Sequence, residues 1–150
     1  MAKTLCGFND GPGGSGRDLL ATWGPTLFVD IGFDPNFKLG IPVPGITRVE
    51  ALVDTGASES CIDSLLAAQL NLPVVDRRQI AGVGGGHIAN VHLAQVRIPL
   101  LNKTILGSFT AVHLAVGGQR HRALIGRSFL QHFTMVYEGR TGTVTLTDEI

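Results

Sequence analysis

The stretch ALVDTGASESCIDSLLAAQL, residues 51–70, decides how the rest of the chain is read. An apolar run, Ala51 to Val53, ends in Asp54-Thr55-Gly56 before any helical period begins. An ionised carboxylate at the end of a buried strand is costly unless donors surround it. Gly56 lets a backbone N–H come close to that carboxylate, and Thr55 adds a hydroxyl. Beyond Ser58 to Ser60, residues Ile62, Leu65, Leu66, Gln69 and Leu70 recur at helical spacing, and Asn71 with Pro73 supplies a stop. The expected order is strand, D-T-G turn, helix. Taken alone, a D-x-G triplet is an Asx-type turn or helix cap that satisfies neighbouring N–H groups. VDIG at 29–32 serves as an internal control: Ile31 brings no hydroxyl and no comparable helix follows, so Asp30 reads as an ordinary strand or turn residue.

Three features downstream add weight to Asp54. AGVGGGHIANVHL, 81–93, sets a glycine cluster between strand-forming residues, a flexible hairpin tip able to fold over a ligand and lift away. ALIGRSFL, 123–130, brings an apolar run to Gly126 just before a helix-like turn, with a short second helix expected over Ser128 to His132. VYEGRTGTVTLT, 136–147, closes as a terminal hairpin.

The surroundings read as all-β. TLFVDIGF (26–33), ITRVEALV (46–53), HIANVHLAQVRIPL (87–100), ILGSFTAVHLAV (105–116) and TVTLT (143–147) are β-branched or alternating, with LLNK (100–103) as a turn. Between strands stand NDGPGGSG (9–16), Gly24-Pro25, Asp34-Pro35, GIPVPG (40–45) and GVGGG (82–86). Residues 1–22, glycine-rich and then briefly apolar at Leu19 and Leu20, are set apart as a flexible N-terminal arm before a single domain over 23–150.

Composition narrows the function classes. At 150 residues, 44% hydrophobic and 16% charged, the chain has ample material for one core. Basic and acidic side chains balance at 12 each, which excludes a basic field for nucleic acid. No signal-type apolar segment follows the N-terminus and no run suits a bilayer, so a soluble, cytoplasmic protein away from membranes is expected. Two cysteines make no disulfide framework, and Cys61 reads as a small apolar residue. His87, His92, His113, His121 and His132 are scattered without an H-E-x-x-H motif, so no metal is expected. GPGGSG (11–16) fits G-x-G-x-x-G formally but lacks a crossover helix, and GVGGGH lacks the Lys-Ser/Thr of a phosphate loop, so no nucleotide cofactor is expected. Ser58, Ser60 and Ser64 sit in no G-x-S-x-G elbow.

The order LVDTGAS, helix, glycine-rich flap, then ALIGR closely resembles the retropepsin-like, single-domain aspartic proteases, over roughly residues 26–147. The resemblance implies a small, closed-barrel-like all-β acid-protease fold with one main helix after the D-T-G loop, a short second helix and a flap hairpin. It makes Asp54 the catalytic aspartate, Thr55 the residue whose hydroxyl braces its partner across an interface, and Gly56 an N–H donor to the carboxylate. Ala57, Ser58 and the flap residues Gly82, Val83, Gly84, Gly85, Gly86 and His87 would line the substrate, together with Leu124 and Ile125. Leu124-Ile125-Gly126 matches the family signature that packs under the active-site loop in a ψ-shaped crossing, and Arg127 matches the arginine often found next. Viral members commonly carry aspartate where this chain has Ser58, and aspartate or asparagine where it has Ser128. Arg127 therefore has Glu59 or a backbone carbonyl as its available partners.

This chemistry uses two carboxylates sharing one proton, because like charges at hydrogen-bond distance cannot both ionise. A chain with a single D-T-G must take its second aspartate from a symmetry mate, which implies a two-fold homodimer. The function expected is an aspartic endopeptidase acting on peptide or protein substrates. The alternative is a non-catalytic dimeric peptide-binding or scaffold domain on the same fold.

Overall fold

In the computed structural model, residues 2–38, 45–80 and 86–148 are described. Along the chain come β1 (Lys3–Leu5), α1 (Gly16–Trp23), β2 (Thr26–Gly32), β3 (Gly45–Val53), β4 (Ser60–Asp63), α2 (Ser64–Gln69), β5 (Val74–Ile80) and β6 (His87–Ile98). A 3-10 turn at Pro99–Leu101 leads to β7 (Lys103–Val112), β8 (Ala123–Ile125), α3 (Arg127–Leu130), β9 (Thr134–Glu138) and β10 (Thr143–Thr147).

Strand order β2-β3-β8-β4-β7-β6 returns to β2 through Asp30↔Arg97, Ile31↔Val96 and Gly32↔Gln95, closing a six-stranded barrel. Closure leaves no free edge in the ring, and alternation sends every second side chain inward. Val29, Ile31, Ala51, Ile62, Val96 and Phe109 are among the residues that fill it, each at most 1% exposed. β5 is added outside the ring on β6 by antiparallel pairing from Val74↔His92 to Ile80↔His87, so β5 and β6 are paired strands on either side of the segment expected to be the flap. Its tip falls on 81–85, outside the described residues.

β8, only three residues long, runs parallel to β3 (Val53↔Ile125) and antiparallel to β4 (Cys61↔Leu124). The two segments flanking the D-T-G loop are thereby fastened to one short strand. The predicted helix differs at its start. Ile62 belongs to β4, where it pairs with Ala111 of β7, and α2 begins only at Ser64. Asp63 causes the switch: its fully buried carboxylate accepts from Leu66 N at 3.3 Å as an N-cap and from Ala115 N at 3.1 Å. β7 stops at Val112, short of the predicted 116, because Ala115 is held by that same aspartate in a turn.

The N-terminal residues also differ from the loose arm expected over 1–22. β1 pairs with β10 from Lys3↔Thr147 to Leu5↔Thr145, in a second sheet of order β1-β10-β9. Ser15 caps α1 by accepting from Asp18 N at 3.1 Å, and Cys6 and Leu20 lie in the core at 1% exposure. The Cys6 carbonyl also accepts from Thr26 N at 2.8 Å, which stitches the segment to the start of β2. A glycine-rich sequence with few apolar residues hides this packing, since Cys6 and Leu20 join the core only through the fold.

Candidate active site

β3 carries Asp54 to the mouth of the barrel and β8 holds it there. Val53 N donates to Pro25 O and Asp54 N to Ile125 O, each at 2.9 Å. The chain then turns tightly: Ala57 N reaches back to Asp54 O at 3.3 Å, and Gly56 N donates to Asp54 Oδ1 at 3.0 Å. This last contact is the N–H approach anticipated for Gly56; a Cβ there would stand 3.2 Å from the same oxygen. Asp54 is half-buried, while Thr55 and Gly56 are exposed, so the carboxylate is held by the backbone yet open to a ligand.

A second layer sits beneath the loop. Gly126 N donates to Ser60 Oγ at 2.9 Å, Arg127 N to Ala57 O at 2.8 Å and Ser128 N to Ser58 O at 3.1 Å. The Arg127 guanidinium donates to Thr55 O at 2.7 Å, so of its two available partners it takes the backbone carbonyl. Glu59 is engaged elsewhere, in an ion pair with Arg78 of β5 that links the loop to the β5–β6 pair. Gly126 is required by space: a Cβ would fall 2.4 Å from Glu59 O and 2.9 Å from Ala57 O.

The predicted residues separate into groups. Asp54, Thr55, Gly56, Ala57, Ser58, Gly126 and Arg127 are brought together as described. Leu124 is half-buried on the face it shares with Cys61. Ile125, expected along the substrate, is instead 3% exposed and in the core, contributing its carbonyl to Asp54 N. Gly82, Val83, Gly84 and Gly85 lie outside the described residues, while Gly86 is exposed. His87 stacks on His113 with centroids 6.4 Å apart, at a cavity of about 230 Å³ also lined by Ser64 and His92. His113 is fixed by Ser64 Oγ at 2.7 Å from its Nδ1.

Two contributors were not anticipated. Ser60 is 1% exposed and satisfies the buried Gly126 N–H; only the neighbouring of β4 and β8 reveals it, which no local pattern encodes. Cys61 is half-buried beside the site, its thiol pushed upward in pKa by burial and, secondarily, by the charge of Asp54. Its place in a four-residue strand was masked by the helical spacing read through Ile62. Among the described residues no group of three or more His, Cys, Asp or Glu is placed to hold a metal, and no helix is long and apolar enough to cross a membrane.

Structural neighbours of the chain include two viral proteases. The EIAV protease complexed with the inhibitor HBY-793 is 21% identical, with 71% of this chain and 85% of that chain covered at a TM-score of 0.47. The simian foamy virus (mac) protease, a solution structure, is 13% identical, with 71% and 91% covered and a TM-score of 0.47. No curated protein matches the chain significantly. The family model described as gag-polyprotein putative aspartyl protease matches residues 43–132, a span that runs from the strand before Asp54 through α3. By that match the chain belongs to this family of retroviral-type aspartic proteases.

Proposed function

We propose that the protein is an aspartic endopeptidase that works as a homodimer, with Asp54 of each chain forming one catalytic pair. The observation that carries the reading is the Asp54 carboxylate itself, half-buried at a strand end, accepting from Gly56 N at 3.0 Å and pinned from below by β8. That is costly placement for a structural turn and useful placement for a reacting group.

In the reaction, one ionised Asp54 takes a proton from a water lying between the pair while the water oxygen bonds to the scissile carbonyl carbon. The protonated Asp54 of the partner subunit gives its proton to the carbonyl oxygen. As the tetrahedral diol collapses, one of its hydroxyls gives its proton to the ionised Asp54 while the C=O reforms and the C–N bond breaks, and the protonated Asp54 gives its proton to the departing amine, which leaves the pair with one shared proton. Thr55 hydroxyls brace the two loops across the axis, and Arg127 holds each loop through its Thr55 carbonyl. The β5–β6 hairpin covers an extended peptide, bound in strand-like fashion.

The test is cleavage of a mixed peptide library between about pH 3 and 7, by wild type and Asp54→Asn, with sizing at the assay concentration. Cleavage by a wild-type dimer that vanishes in Asp54→Asn supports the reading. A folded dimer that cuts nothing replaces it with a peptide-binding domain, and cleavage by a true monomer overturns the shared site.

A further inference from the structure

Five histidines are scattered along the sequence, and the fold gathers three of them, His87, His92 and His113, at one cavity. The cavity arises where two strands part. Pairing between β6 and β7 stops at Val91↔Thr110. Past that point β6 continues with β5 as far as Ile80↔His87, while β7 continues with β4 as far as Asp63↔Val112. The space of about 230 Å³ in this fork is lined by Asn90 and Ala111 from the two strands and by Ser64 and Ala68 of α2. His87 is the first residue of β6, and His113 follows directly on the last residue of β7.

The histidines at the two strand ends are exposed, with ring planes 14° from parallel and centroids 6.4 Å apart. His113 Nδ1 lies 2.7 Å from Ser64 Oγ. In the tautomer whose Nδ1–H donates to that hydroxyl, Nε2 carries a lone pair. An imidazole with one nitrogen held by a neighbour and the other bare is the arrangement that orients a metal ligand. Zinc bonds imidazole nitrogen at about 2.0–2.1 Å, so a tetrahedral ion shared by two rings sets their centroids about 5 Å apart. Reaching that from 6.4 Å takes about 1 Å of movement, which the exposed His87 side chain supplies by turning about its own bonds. His92 is buried, with its Nδ1–H donated to Leu72 O at 3.0 Å. Among the described residues no third His, Cys, Asp or Glu is placed to join the pair.

We propose that His87 and His113 together bind a divalent transition-metal ion, Zn²⁺ or its neighbours Cu²⁺ and Ni²⁺, with water in the remaining positions. Imidazole suits these ions, whereas Mg²⁺ and Ca²⁺ take oxygen ligands. The cavity has room for the waters, each of which needs about 30 Å³. The Ser64 hydroxyl and the Asn90 amide line the same space and offer hydrogen bonds to them. Bound there, the ion is a clasp that fastens the end of the β5–β6 pair to the turn after β7. Arg78 of β5 already ties that pair to Glu59 beside the Asp54 loop, so the clasp gives it a second anchor. Neither Asp54 nor Thr55 lines the cavity, and the site therefore stands whether or not the chain cleaves peptides.

The experiment is calorimetric titration of the full chain with Zn²⁺, and separately with Mg²⁺, on wild type, His87→Gln, His113→Gln and His132→Gln. Circular dichroism first establishes that each variant melts like wild type without metal; the two substitutions in the pair act independently, so either one that folds suffices. Wild type is expected to bind Zn²⁺ at a single site per chain and to give no binding heat with Mg²⁺. His87→Gln and His113→Gln should each weaken Zn²⁺ binding at least about tenfold. His132, an exposed histidine away from the cavity, should be replaceable with no change. Because the ion binds the folded chain, Zn²⁺ should also raise the melting temperature of wild type more than that of either cavity variant. Wild type that takes up no Zn²⁺ by about 1 mM overturns the proposal. Zn²⁺ held as tightly by either cavity variant as by wild type places the ion elsewhere, on Cys61 or Asp54 for example, and overturns it too. Mg²⁺ that competes for the same site marks oxygen ligands and has the same consequence.

Discussion

Single residues decide whether the loop bearing Asp54 can be built. Gly126 has an ordinary φ of −91°, so its importance is steric: the added methyl of Gly126→Ala would meet the Glu59 carbonyl at 2.4 Å. Backbone on two sides cannot give way cheaply, and a loss of about 1–3 kcal/mol or more in denaturant unfolding is expected. Gly11→Ala, with no atom within 4 Å of the new methyl, serves as the contrast and should stay within about 0.5 kcal/mol of wild type. His121 governs a different property. Its ring lies 2.7 Å from Thr26 Oγ1, and its pKa is lowered by burial first, with Arg120 adding to the effect and Glu50 opposing it. A depressed histidine pKa means the unfolded chain takes up the proton first as pH falls. Stability is therefore complete above the ordinary histidine value and declines as pH drops below it toward the folded-state value. Melting curves of His121→Gln should show a shallower loss across that window; an unchanged slope would remove His121 as the cause.

Elements act by adjacency, and here the strand β4 matters more than its length suggests. Ser60 faces inward between β8 and the loop, where its hydroxyl accepts from Gly126 N at 2.9 Å. Ser60→Ala leaves that buried N–H without a partner, for an expected cost of about 1–3 kcal/mol by thermal or denaturant unfolding. Ser60→Thr, which keeps the hydroxyl, should lose less. A silent Ser60→Ala would show that the loop is fixed by its backbone bonds alone. This element also marks how far the sequence could be read. The long strands β2, β3 and β6 announce themselves through β-branched alternation, and the D-T-G loop with A-L-I-G-R through residue types that chemistry and space demand at each position. β4 does not, because Ile62, Leu65 and Leu66 satisfy a helical period while Asp63 ends one element and caps the next. The packing of the N-terminal segment is likewise invisible: its core residues, Cys6 and Leu20, are separated by glycine-rich sequence and join the same core only through the fold. The pairing of Arg127 with the Thr55 carbonyl, rather than with a carboxylate, needed the geometry of the loop to settle it.

At the scale of the whole molecule, one barrel presents half of the proposed catalytic apparatus, and its behaviour on dilution should show this. If two Asp54 side chains from two chains act together, the active species is the dimer, and activity per chain depends on concentration. Well below the dissociation constant the cleavage rate should rise with the square of total protein, and above it linearly, whereas a self-sufficient monomer gives a linear dependence throughout. Subunit mixing sharpens the argument, because it separates a shared site from two independent sites that merely require dimerisation for folding. When wild type exchanges freely with an equal amount of Asp54→Asn, about half of the wild-type subunits enter mixed dimers under random pairing. A shared site makes those mixed dimers inactive, so activity per wild-type chain should fall to about one half at concentrations where everything is dimeric. Independent sites would leave it unchanged, since each wild-type subunit would retain its own working carboxylate whatever its neighbour carried.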